Sequence, residues 1–470
     1  MTAYFKTESE LGNNVVVTPI YVCRPDGWAA VQEHLTAAQR TFADARSFNG
    51  EAGQRIRLPN VDGHIDAVIF GAGPLSSDAT GAMRAGTLSG FLPEGHYVFQ
   101  ILPKDWTRPL AAIGWGLGAY KFDKYLEPAS CPTLILSEPE SPTETEALVA
   151  SIALGRDLIN TPAGDMGPEA LHAAATKVAN KYGAVITEII GDDLLTNNLP
   201  MIHAVGRASY QAPRLVEFEW GDPTHPRLAL VGKGITFDTG GLNIKSAAGA
   251  RIMKKDMGGA AHALALAQII MANNLPIRLH VLLAIAENAI SGDAYRPGDI
   301  LPSRKGLTVE IDNTDAEGRL VLGDALTKAG EDNPALIIDF ATLTGAARVA
   351  LGPTLPPFFS NREGPTADIL AQGLAQLDPL WRMPLWRPYM SFLSSPIADM
   401  KNAGGSFAGC ITAALFLEKF VDANQPWMHF DVYGWNPGAL PGHPKGGEMF
   451  ALRALYHWLK AGGLNSNFSA

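Results

Sequence analysis

The chain has 470 residues, 47% of them hydrophobic, and a formal net charge of −10 from 37 basic and 47 acidic residues. That length and apolar content suit two or three domains with sizeable cores. The acidic balance argues against general affinity for nucleic acid or anionic membranes, and three scattered cysteines (Cys23, Cys131 and Cys410) form neither a CxxC pair nor a disulfide framework.

Residues Met1 to Glu8 lack the basic and apolar regions of a signal peptide, and no apolar run reaches membrane-spanning length. A cytoplasmic protein without membrane partners is therefore expected. Asn14 to Cys23 and Ile65 to Phe70 read as strands. Trp28 to Ala45 and Pro109 to Tyr120 read as helices, the second with proline at its tolerated first position. Gly71-Ala72-Gly73-Pro74-Leu75-Ser76 mimics a dinucleotide loop, but Pro74 and the missing third glycine favour a simple turn. The block closes near Leu134 to Leu136, and Ser137 to Pro142 reads as a linker. Thr143 to Ile159 has the pattern of a long helix, with Thr143 as cap and Glu146 completing a capping box.

A second block begins after Asn160-Thr161-Pro162. Its strands are Leu228 to Gly232, Leu279 to Ala286, Leu336 to Phe340 and Met428 to Val432. Helices between them include Gly258 to Ala272 and Phe407 to Val421. The expected architecture is two α/β domains, residues 1–140 and 161–470, joined by a helix over 141–160. The C-terminal one has a mostly parallel sheet flanked by helices. There is no internal repeat.

Three segments concentrate chemistry in this second block. Asn313-Thr314-Asp315-Ala316-Glu317-Gly318-Arg319-Leu320 packs two carboxylates and a guanidinium between a strand-like and a helix-like stretch, where α/β folds place ligand sites. Val231 to Lys245 follows a buried strand, and its glycines suggest a loop presenting Lys233, Asp238 and Lys245. Lys254 to Ala261 places Asp256 just before a helix, where a cap or a metal ligand fits. Singly, each has a plain reading. Asp256 and Asp315 suit helix caps, Glu317 a helix dipole, the lysines a surface and Arg319 an ion pair. Jointly, Asp238, Asp256, Asp315 and Glu317 would need cations between them, and two divalent ions would neutralise them. Such a pair can polarise a carbonyl and activate water, with Lys245 or Arg319 stabilising the developing oxyanion, which is the chemistry of amide or ester hydrolysis. No HExxH, Walker loop or GxSxG is present, and His262 and His429 read as structural.

These segments resemble the leucyl aminopeptidase family of metallopeptidases, as do Arg156 to Pro162, Asn288 to Gly292 and Arg296 to Asp299. The resemblance is clearest from about residue 150 to about residue 350. It implies a two-metal exopeptidase acting on peptides with a free N-terminus. One metal would be held by Lys233, Asp238, Asp256 and Glu317. The other would be held by Asp238, Asp315 and Glu317, with the Asp315 backbone carbonyl. Zinc, manganese or magnesium would fill the sites. Lys245 would polarise the scissile carbonyl and stabilise the gem-diolate, and Arg319 would hold a bicarbonate as general base. Lys233 would act as a neutral amine, and Lys245 as an ammonium. Met253, Thr342 and Gly345 match pocket positions for an apolar residue, leucine above all, preceding the cleaved bond (P1). Two stretches depart from the family pattern: His429 to Trp435, and Lys445 to Phe450. The resemblance also implies a homohexamer. The competing readings are a two-metal phosphoesterase and a non-catalytic assembly or DNA-binding member of the family; a net charge of −10 gives DNA binding no support.

Overall fold

The computed structural model describes residues 4–13, 15–75, 80–127, 130–137, 141–465 and 468. The chain divides into two compact units, Met1–Ala153 with Gly438–Pro444, and Leu154–Pro437 with Lys445–Ala470. The division falls inside the helix Pro142–Asn160. That helix starts one residue before the predicted cap, so Thr143 lies within its first turn. Of the predicted linker, residues 138–140 lie outside the described residues.

The first unit holds a six-stranded sheet. Its strands are β1 (Phe5–Thr7), β2 (Val17–Cys23), β3 (Arg55–Pro59), β4 (Ile65–Gly71), β5 (His96–Ile101) and β6 (Thr133–Leu136), in the order β1-β6-β5-β2-β4-β3. All neighbours are parallel except the edge strand β3. The strand expected from Asn14 begins at Val17, and Asn14 itself lies outside the described residues. The single helix expected over Trp28 to Ala45 is two, Trp28–Gln32 and Ala37–Ala45. Thr36 and Gln39 form a capping box that starts the second helix afresh, and this local signal outweighs the longer apolar periodicity. Helix Arg108–Ala119 is capped by Thr107, which puts Pro109 second in the helix. The glycine stretch after β4 is irregular backbone, with Gly73 at φ 75°; Ser76 lies outside the described residues.

The second unit is built on an eight-stranded sheet. Its strands are β7 (Val185–Ile190), β8 (Arg214–Trp220), β9 (Arg227–Asp238), β10 (Arg278–Asn288), β13 (Leu336–Ala341), β14 (Pro357–Ser360), β15 (Trp381–Arg382) and β17 (Trp427–Asp431). A small side sheet uses β11 (Ile300–Pro302), β12 (Thr308–Glu310) and β16 (Met400–Lys401). The large sheet runs β15-β14-β17-β13-β9-β10-β8-β7. Its centre, β17-β13-β9-β10, is parallel, and antiparallel pairs lie to either side. Both faces are covered: helix Gly258–Ala272 is buried almost throughout, and helix Gly318–Gly330 contributes Leu320, Val321, Leu322, Ala325 and Leu326 to the core. This is the α/β architecture the strand and helix spacing implies.

One expectation fails in an informative way. The glycine-rich stretch after Val231 is not a loop, because β9 continues to Asp238. Gly232 serves packing rather than turning: a Cβ there would lie 2.6 Å from the Ala260 backbone. The turn comes later, at Gly240 and Gly241, whose φ values are 88° and 61°. Lys233 is therefore a strand residue, Asp238 ends the strand, and only Lys245 belongs to the loop.

Candidate active site

Lys233 lies within the central parallel strand β9 and Asp238 ends it, while Asp256, Asp315 and Glu317 lie shortly before helices. Lys233 and Asp238 are five residues apart on β9, which would put their side chains on opposite faces of a regular strand. The register between β9 and β10 shifts there: Ile235 pairs with Ala286, but Asp238 pairs with Asn288. The extra residue in β9 is a bulge that turns Asp238 back toward the Lys233 side. Asp256 lies in the 3-10 turn Met253–Met257, and Glu317 immediately precedes helix Gly318–Gly330. The N-cap positions of the two helices are Met257 and Glu317, with no side-chain cap bond at either, so the capping readings of Asp256 and Asp315 fail.

The side chains converge. Lys233 Nζ lies 2.8 Å from Asp256 Oδ2 and 2.9 Å from Glu317 Oε1. Lys245 Nζ lies 2.8 Å from Asp238 Oδ2 and also pairs with Asp315. Asp238, Asp315 and Glu317 each offer an oxygen within 4.8 Å of the others. The lysines are thus neither surface cations nor isolated, and four carboxylates share two of them. Gly318 makes the approach possible, since a Cβ there would lie 2.5 Å from Lys233 Cε.

A polar frame holds this cluster, and its Tyr295 and Asn402 have no counterpart among the candidate residues of the sequence. Asp238 Oδ1 accepts from the Gly240 N–H and from Asn288 Nδ2, both at 2.8 Å. Thr314 and Asn243 bind each other's backbone N–H with their side chains at 2.9 Å, tying the lysine loop to the octapeptide. Tyr295 donates to the Thr314 carbonyl at 2.7 Å. Asn402 accepts from the Asp312 N–H at 2.8 Å and donates to the Asn313 carbonyl at 2.7 Å. The Thr342 hydroxyl lies 2.8 Å from Asp256 Oδ1. No local pattern marks Asn402, about 90 residues downstream; only the fold brings it here.

Burial and mutual repulsion set the charge states. Burial, followed by the Asp238 charge, pushes the Glu317 carboxyl up to about 8. Burial and then Asp256 push Asp238 up to about 6. Burial opposes ionisation of Asp256, but Lys233 and Lys255 outweigh it and hold its pKa below the ordinary value. Burial also opposes protonation of Lys233 and Lys245, yet their carboxylate neighbours prevail and raise both. Lys233 is thus held as an ammonium. A ligand role needs the amine, so a dication binding there must displace a proton.

The cluster fits divalent ions. Among the described residues, Glu317 Oε2 and Asn288 Oδ1 are buried with no hydrogen-bond partner, and Asp256 Oδ2 and Asp315 Oδ1 meet only lysine ammonium groups. Unsatisfied buried carboxylate oxygens are costly, and hard or borderline cations are what such an oxygen set binds. Arg319 is buried beside this cluster. It donates to the Asn402 carbonyl at 2.7 Å, its Nε has no partner, and it pairs with no carboxylate among the described residues. Burial lowers its pKa to about 10, which leaves it cationic at neutral pH.

The two histidines are structural. The Phe450 N–H donates to His262 Nε2 at 3.0 Å, which leaves Nδ1 to donate to the Gly258 carbonyl at 2.6 Å. Burial lowers the His262 pKa to about 4, so it stays neutral. His429 Nδ1 lies 2.6 Å from Asp339 Oδ1, beneath the sheet surface. A second acidic group, Glu219, His280 and Asp332, is already occupied by Arg227, which lies 2.7 Å from Glu219 and 2.8 Å from Asp332.

A covered α/β sheet with buried acids, lysines and an uncommitted guanidinium at its carboxyl edge has the layout of an α/β enzyme. Comparison with known proteins makes the class specific. The cytosol aminopeptidase family, catalytic domain, matches residues 153–456, and the M17 aminopeptidase N-terminal domain matches residues 18–135. A probable cytosol aminopeptidase of Syntrophotalea carbinolica is 35% identical over 463 residues, covering 91% of this chain and 92% of that protein. The crystal structure of a cytosol aminopeptidase from Coxiella burnetii has a TM-score of 0.90 at 42% identity, covering 98% of this chain and 99% of that one. The bottromycin maturation enzyme BotP in complex with Mn has a TM-score of 0.85 at 33% identity, covering 94% and 99%. The chain belongs to the cytosol aminopeptidase family and is a metallo-aminopeptidase.

Proposed function

We propose that this enzyme removes the N-terminal residue of peptides at a centre of two divalent ions. The supporting observation is the meeting of Asp238, Asp256, Asp315 and Glu317, with Glu317 Oε2 left buried and unpartnered. Lys233, Asp238, Asp256 and Glu317 would hold one ion; Asp238, Asp315 with its backbone carbonyl, and Glu317 would hold the other. Bound ions supply Lewis acidity and lower the pKa of water to within reach of neutral pH.

The chain's own residues do the rest. Lys245 keeps its proton between Asp238 and Asp315 and is positioned to donate to the oxyanion that forms from the scissile carbonyl. Arg319, cationic and paired with no described carboxylate, suits a small anion such as bicarbonate, which could take the proton of the attacking water. Met253, Thr342 and Gly345 would line the P1 pocket. Manganese or zinc, with magnesium as a third candidate, suits this lysine and carboxylate set. A cytoplasmic homohexamer acting on peptides completes the reading. Among the described residues no helix is long and apolar enough to cross a membrane.

Hydrolysis of leucine p-nitroanilide by the metal-loaded protein tests this. Asp315→Ala and Glu317→Ala should each abolish it while circular dichroism stays unchanged. Turnover retained in either variant would refute the assignment.

A further inference from the structure

Close in the fold to the predicted P1 residues lies a cation with no carboxylate partner among the described residues. Arg348 stands one turn after Gly345 on helix Gly345–Leu351, and it is exposed. Its Nη1 donates to the Tyr433 hydroxyl at 3.1 Å, and its guanidinium carbon lies 4.9 Å from the centre of the Tyr433 ring. Lys255 Nζ approaches the same ring at 5.2 Å. The ring is thereby fixed, and it in turn fixes the guanidinium.

The three candidate P1 residues share elements with this group. Met253 and Lys255 lie in one 3-10 turn, and Gly345 and Arg348 lie on one helix. Thr342 packs beside Gly434, where a Cβ would lie 3.1 Å from its methyl group, and Tyr433 is the preceding residue. Thr344, Arg348, Leu355, Asp431, Tyr433 and Phe450 line one shallow cleft that opens to solvent. Asp431 does not neutralise the arginine. Its Oδ1 accepts the N–H groups of Leu343 and Thr344 at 3.0 and 3.1 Å, and its Oδ2 accepts the Thr344 hydroxyl at 2.6 Å.

We infer that Arg348, positioned by Tyr433, is a specificity determinant that binds a carboxylate on the P1 side chain, so that glutamyl substrates are favoured over their neutral isosteres. A guanidinium with one nitrogen committed to a hydroxyl still presents donors matched to the two oxygens of a carboxylate. Leu355 and Phe450 in the same cleft leave apolar surface for the methylenes, so leucine remains acceptable. This inference rests on the aminopeptidase reading above.

The test compares glutamyl, glutaminyl and leucyl p-nitroanilides on the metal-loaded enzyme. The kcat/KM for glutamyl should exceed that for glutaminyl by roughly tenfold to a hundredfold, the range of a charge-assisted hydrogen bond. Arg348→Ala should bring that ratio near unity, Arg348→Lys should restore part of it, and Tyr433→Phe should lower it several-fold, mostly through KM. A wild-type ratio at or below one, or a ratio indifferent to Arg348→Ala, with leucyl turnover intact, would overturn the inference alone. Absence of turnover with all three substrates would instead sink the aminopeptidase reading and this inference with it.

Discussion

At the residue scale, the site is a competition between ammonium groups and dications for the same oxygens. Lys233 is protonated between Asp256 and Glu317, and burial pushes the Glu317 carboxyl up to about 8. Metal binding requires both to be deprotonated, so it should release protons at neutral pH, and apparent affinity should rise with pH through about 8. Isothermal titration with Mn²⁺ in buffers of different ionisation enthalpy measures the release directly; a buffer-independent heat would contradict it. Lys245→Met removes the ammonium that bridges Asp238 and Asp315. Loss of one oxyanion donor typically costs about 10²–10³-fold in kcat, and that loss should appear with little change in KM.

At the element scale, two positions on one helix hold its surroundings in place. Gly318 opens the helix that follows Glu317, and a methyl group there would meet Lys233 Cε at 2.5 Å. Gly318→Ala should therefore displace Lys233 and weaken metal binding, read as an increased Mn²⁺ Kd, with a smaller effect on Tm. Asp324, in the middle of the same helix, reaches across to the start of helix Pro200–Gly206. It accepts the Met201 N–H and the Arg304 N–H, each at 2.8 Å. Asp324→Ala would strand these donors and the Ile202 N–H, which donates at 3.3 Å, and should cost about 2–4 kcal/mol in urea unfolding. Burial pushes the Asp324 carboxyl up to about 7 from the ordinary 3.8. The folded protein thus holds a proton that the unfolded chain releases, and stability falls as pH rises from about 4 to about 7. Asp324→Asn should flatten that decline; an unchanged slope would place the pH dependence elsewhere.

At the scale of the whole molecule, charge excess ties metal loading to stability. Buried carboxylate oxygens without hydrogen-bond partners disfavour folding unless a cation meets them, so dications that bind only the folded chain should stabilise it. Chelation should lower Tm, and Mn²⁺ at about a hundred times its Kd should restore about 2.7 kcal/mol. Differential scanning calorimetry with and without chelator reads this, and equal melting curves would deny the ions a structural role.

The octapeptide Asn313 to Leu320 and the order of strands and helices were readable because they are local: periodicity marks the elements, and crowded acids announce a cation. Helix Gly258–Ala272 and the central parallel strands followed from that alone. Other features were decided by contacts between distant segments. The bulge that turns Asp238 toward Lys233, the strand conformation of the Val231 to Asp238 stretch, the placement of Asn402, and the Arg348 and Tyr433 pair all depend on neighbours from other parts of the chain. A glycine's sequence does not say whether it turns the chain or lets a helix pack close, and an arginine's does not say whether an acid lies opposite. Only tertiary packing supplies the partner, because burial and charge are properties of neighbours rather than of the residue itself.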